Sequence, residues 1–139
     1  MNYKLGWLVD QHVLALTHFT SAITPEEFHA ILAETQTYLQ QITHPFQVII
    51  DNRMISDRNV ASLAMIMQAF PSLNHPQLSW IVMILPEPIK HTAAQRPIQQ
   101  HGTIQLIYVE NLVQAFDHVQ HVEPNIDLNQ RDQGFFDQP

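Results

Sequence analysis

Seven polar residues hold the chain's best material for chemistry. Asp51, Asn52, Arg53, Ser56, Asp57 and Arg58 follow closely on one short apolar run, and Glu87 follows another that ends at Leu85. Paired carboxylates of unequal burial can divide acid and base roles, because their surroundings push their pKa values apart. Arg53 and Arg58 would neutralise such acids and turn the loop into a recognition surface. No nucleophile or histidine is tied to these positions by spacing. The seven therefore read as partner- or ligand-binding residues, with no catalytic residue assigned.

Other candidate sites are thinner. Ser56 and Ser62 are candidates for phosphorylation, since a phosphate near a helix N-terminus is favoured by the free amides and the dipole. Their competing role is capping or packing. Of the nine histidines, His118 and His121 are three apart on a helical pattern, with Asp117 and Glu123 nearby. That spacing offers two ligands where a metal needs three or four that converge, so no metal or other cofactor is expected. Phe28, Met65, Met67, Phe70, Trp80, Met83 and Phe116 stand at core spacing and read as packing. An apolar pocket between sheet and helices is the competing use of the same side chains.

Composition narrows the classes. The chain has 139 residues, 45% apolar and only 14% charged, enough for one domain with a sizeable core. Thirteen acids against six bases give a net charge of -7, which argues against nucleic acid as a partner. The absence of cysteine removes disulfides, thiolate metal sites and thiol nucleophiles. Gly6, Gly102 and Gly134 are far apart, so no phosphate-cradling loop can form from them. No apolar run approaches the roughly 20 residues that span a bilayer, and Met1 to Trp7 lacks the apolar core of a signal peptide. A cytoplasmic protein is expected.

The elements that must position the loop follow from periodicity and punctuation. Phe46-Gln47-Val48-Ile49-Ile50-Asp51 is a strand buried on both faces and so a central one. Trp7–Val9 and Val13–Phe19 predict an N-terminal hairpin at one edge. Thr24-Pro25-Glu26-Glu27 predicts a helix with a capping box, and Ile23 and Phe28 are placed for a hydrophobic staple. Its buried face would be Phe28, Ile31, Leu32, Thr35, Leu39 and Ile42. A second helix, capped by Ser56 or Asp57, would bury Val60, Leu63, Ala64, Met67 and Phe70.

Leu78–Leu85 predicts another central strand. Residues 89 to 101 suit a helix that Pro97 kinks, with Gly102 as its C-terminal cap. Ile104–Val109 is the last strand, and Asn111 caps a last helix carrying Leu112, Ala115, Phe116 and Val119. Residues 1–122 make one domain. Residues 123–139 make a polar tail, or an arm that Phe135 and Phe136 dock on a neighbour. The fold class is α/β: a mixed, mainly parallel central sheet of about five strands with an N-terminal hairpin and about four helices.

This order, with its capped first helix, its aspartate-tipped central strand and the closing Tyr108-Val109-Glu110-Asn111-Leu112-Val113-Gln114-Ala115-Phe116, resembles the STAS superfamily of SpoIIAA-like anti-sigma-factor antagonists. The likeness runs over about residues 4 to 122, by pattern. It implies a non-enzymatic regulatory module that works by protein-protein interaction, through residues 52 to 58 and the start of the second helix. In signalling members, a serine in an Asp-Ser-x-Gly-like turn after the central strand is phosphorylated. Here Ser56-Asp57 has the reverse order and no glycine follows. The alternative is a binding protein for an apolar or weakly acidic small molecule, in a crevice near Asp51, Arg53 and Glu87. An exposed edge strand and the Phe135-Phe136 pair also make a homodimer a candidate assembly.

Overall fold

All six residues of Phe46–Asp51 are buried, and a strand covered on both faces must have neighbours on both edges. The computed structural model describes residues 2–138 and places this strand, β3, in a six-stranded sheet. The other strands are β1 (Tyr3–Val9), β2 (Val13–His18), β4 (Leu78–Ile84), β5 (Gln99–His101) and β6 (Ile104–Val109). Their spatial order is β1-β2-β3-β4-β6-β5. The four inner strands β2, β3, β4 and β6 run parallel, and β1 and β5 close the two edges antiparallel. The molecule is thus α/β with a mixed, mainly parallel sheet.

Side-chain alternation splits the core into two layers. Val48 and Ile50 of β3, with Ile81 and Met83 of β4, meet α1 (Pro25–Leu39) and α2 (Leu63–Ala69) on one face. Ile49, Val82 and Ile84 meet α3 (Leu112–Val122) on the other, through Ala115 and Val119. Residues 123–138 lie along that second face of this chain's own sheet. There Ile126 and Phe135 are buried beside Leu8 and Val9, and the Asp132 amide donates to Leu8 O at 2.9 Å.

Local chemistry sets α1 as the sequence predicts. Thr24 Oγ1 accepts from Glu27 N at 3.1 Å, and Glu27 Oε1 accepts from Thr24 N at 3.2 Å, so the capping box satisfies two amides that the helix leaves free. Beside the cap, Ile23 is 40% exposed, and Phe28 packs edge-on against Phe70.

Two expectations are corrected. The second helix begins at Leu63, with Ser62 as its cap and not Ser56 or Asp57; Ser62 Oγ accepts from Met65 N at 3.2 Å. Val60 accordingly lies in the preceding loop, Ala64 is exposed, and Ile66 takes a buried place with Leu63 and Met67. The preceding chain is held extended by distant partners: Tyr108 Oη donates to Ala61 O at 2.7 Å, and Gln99 Oε1 accepts from Leu63 N at 2.8 Å.

Residues 87–101, in turn, form no kinked α-helix. Glu87–Gln95 is a 3-10 segment, and Gln99–His101 pairs with Ile104–Leu106 as β5. Pro97 ends the segment, since the residue before a proline disfavours the α region. Gly102, at φ +61°, turns this hairpin and caps no helix.

Candidate functional site

The strand register brings the polar groups together. Thr17 near the end of β2 stands directly opposite Asp51 at the end of β3, on the same side of the sheet. Thr17 Oγ1 donates to Asp51 Oδ2 at 2.8 Å, with both residues 2% exposed. Two positions on, Arg53 folds back over the same carboxylate. Its Nε donates to Oδ1 at 2.9 Å, its Nη2 to Oδ2 at 2.8 Å, and its backbone amide to Oδ1 at 3.1 Å. This two-toothed pairing fixes the plane of both groups. Bonding to Asp51 raises the Arg53 pKa above its ordinary value, so the guanidinium stays charged.

Above this pair opens a cleft of about 450 Å³ at the carboxyl ends of β2, β3 and β4. Thr17, His18, Phe19, Asp51, Arg53, Met54 and Glu87 line it, and Phe136, Asp137 and Gln138 of the C-terminal segment supply a further wall. Such crevices are where open α/β sheets receive ligands. The Arg53 carbonyl accepts from the Glu87 amide at 3.2 Å, tying the loop after β3 to the one after β4. Glu87 also pairs with Lys90 at 2.7 Å on the solvent side. A second cleft of about 500 Å³ adjoins the first, sharing Phe19, Asp137 and Gln138, and reaches Tyr3, Lys4 and Glu34.

His18 borders the first cleft and is 4% exposed; it pairs with Tyr3 in the β1–β2 register, so its side chain lies on the α1 face of the sheet, opposite to that of Thr17. Burial pushes its pKa down, against the pull of Asp51 and Glu27, so at neutral pH the ring is uncharged.

The seven predicted residues therefore divide. Asp51, Arg53 and Glu87 meet in the cleft. Asn52, Ser56, Asp57 and Arg58 do not line it. The Asn52 amide donates to Ile84 O, and Ser56 donates through both its amide and its Oγ to Ser21 O, at 2.9 and 3.2 Å. Asp57 accepts from the Asn59 amide in a local turn, and Arg58 is exposed. Ser62 is spent as the α2 cap.

His118 packs edge-on against Trp80 with ring centroids 4.4 Å apart, and its Nε2 is buried without a partner. Burial lowers its pKa, and the charge of His121 lowers it further. Among the described residues no three or more His, Cys, Asp or Glu come together to hold a metal, and no helix is long and apolar enough to cross a membrane.

Sequence reasoning missed Thr17, His18, Phe19, Phe136 and Asp137. A signal for the first two existed: a β2 placed parallel to β3 brings Thr17-His18 alongside Asp51. The last two carry no local signal, since only the return of the C-terminal segment puts them there. No family model, curated protein or solved structure matches the chain.

Proposed function

We propose that this protein is a non-enzymatic binding module whose ligand is a small molecule, held in the cleft over the Asp51–Arg53 pair. The observation that carries the reading is a formed cavity of about 450 Å³ over that pair, walled by Phe136, Asp137 and Gln138. Its pre-set polar floor also supports recognition, because Thr17 and Arg53 already saturate the Asp51 carboxylate. A carboxylate so fully occupied is poorly placed to take a proton from a substrate. The cytoplasm is the proposed location.

A thermal-shift screen of small polar compounds tests this reading. Met54 is 52% exposed at the cleft margin, so Met54→Trp fills the cavity without entering the core. Compounds should stabilise the native chain and lose that effect in Met54→Trp. Hits that persist in the variant, or no hits at all, would count against it.

The second reading is a SpoIIAA-like regulatory module that engages a protein partner through residues 52–58. The element order and the exposure of Met54, Ser56, Asp57 and Arg58 on one loop support it. Ser56→Asp and Arg58→Ala should then weaken partner capture while leaving small-molecule binding intact.

A further inference from the structure

A guanidinium carries five N–H bonds, and Asp51 occupies only one edge of the one on Arg53: Nε donates to Oδ1 and Nη2 to Oδ2. The other edge, with both N–H bonds of Nη1 and the second of Nη2, makes no hydrogen bond to the described residues. Asp51 is 2% exposed and fixes the guanidinium plane, while the Arg53 side chain stays 33% exposed in the cleft lining. Two parallel N–H donors in one plane match the two oxygens of a carboxylate.

The acids around this fork are mostly engaged. Thr17 and Arg53 saturate Asp51, and Lys90 holds Glu87 at 2.7 Å. Asp137 is exposed, where mobile ions and water screen it. Phe19, Met54 and Phe136 make the rest of the lining largely apolar.

We propose that the cleft takes a small organic carboxylate, its two oxygens bridging Nη1 and Nη2 of Arg53 and its hydrocarbon lying against Phe19 and Phe136. Arg53 then stands between two carboxylates, the fixed one of Asp51 and the exchangeable one of the ligand. This assignment rests on the cleft being a ligand site and adds the ligand's charge and its anchor. Of the apolar and weakly acidic ligands that the sequence suggests, it selects the acid, because the pairing with Asp51 leaves the outer fork free.

Three probes of like shape separate the possibilities: 3-phenylpropionate, 2-phenylethanol and phenethylamine, titrated into the full chain by NMR. The carboxylate should shift the amides of residues 17–19 and 51–54 together with the Arg53 side-chain N–H signals. It should bind about tenfold tighter than the alcohol or the amine. Arg53→Lys keeps a cation over Asp51 but loses the fork, so the carboxylate should fall to the level of the alcohol. Glu87→Gln, at an exposed side chain, leaves the Asp51–Arg53 pair untouched. Removing that like charge should tighten the carboxylate about two- to fivefold, with the alcohol unaffected.

Alcohol or amine binding in the cleft as tight as that of the carboxylate would overturn the charge assignment and leave the binding-module reading standing. So would carboxylate affinity unchanged in both variants. No shift in the cleft with any of the three probes would overturn both.

Discussion

Arg53→Ala should destabilise the protein well beyond the effect of losing an ordinary surface ion pair. The Asp51 side chain is 3% exposed and accepts four hydrogen bonds: from Thr17 Oγ1 and from the amide, Nε and Nη2 of Arg53. Alanine removes two of these together with the compensating charge. Stripping one partner from a fully buried pair costs about 3–5 kcal/mol. The Arg53 side chain is 33% exposed, so cleft water replaces part of what is lost, and about 2–3 kcal/mol is expected. A chain of this length unfolds with an entropy of about 0.3 kcal/mol/K, which makes the loss in Tm about 7–10 °C.

Urea unfolding with a double-mutant cycle isolates the cause. Asp51→Asn removes the charge that Arg53 neutralises, so Asp51→Asn/Arg53→Ala should cost at least about 1 kcal/mol less than the two single losses together. A cost for Arg53→Ala below about 0.5 kcal/mol, the range of exposed pairs, would refute the reasoning. Strict additivity would refute it as well.

Three further outcomes are expected. His18 and His118 both have pKa values pushed below the ordinary 6.5 by burial, so the unfolded chain binds protons first as pH falls. Stability should be complete above pH 6.5 and decline below it, down through the folded-state values; a melting temperature that is flat or rises between pH 7.5 and 5.5 would contradict this. Phe135→Ala removes a side chain that is 1% exposed, a change worth about 3–5 kcal/mol in a core. Phe135 and Ile126 are the buried anchors of residues 123–138, so the loss should appear first as faster hydrogen exchange and proteolysis there; unchanged exchange would contradict it. Ser62→Ala should cost about 1 kcal/mol by uncapping α2, and Ser62→Asp, which can still cap, much less; equal losses on urea unfolding would contradict the capping role.

What was legible in the sequence was local. The buried β3 run and the Thr24–Glu27 box need only neighbouring residues, and Asp51 and Arg53 are two apart, so their pairing lay within reach. The start of α2 was not, because Tyr108 and Gln99, from β6 and β5, hold Ala61 and Leu63 in place. The strand β5 is three polar residues whose pairing depends on the Gly102 turn. Half of the cleft escaped for the same reason. Thr17 and His18 arrive through parallel register, and Phe136 and Asp137 through a segment whose composition reads as a tail.

The proposed function places the ligand over Asp51 and Arg53. A larger open groove of about 660 Å³ lies elsewhere, between α1 and residues 71–75, lined by His29, Leu32 and His75. Amide chemical-shift mapping during a fragment screen compares the two directly. Shifts that concentrate on residues 17–19, 51–54, 87 and 136–138 are expected. Shifts that gather on residues 29–40 and 71–75 would contradict the account.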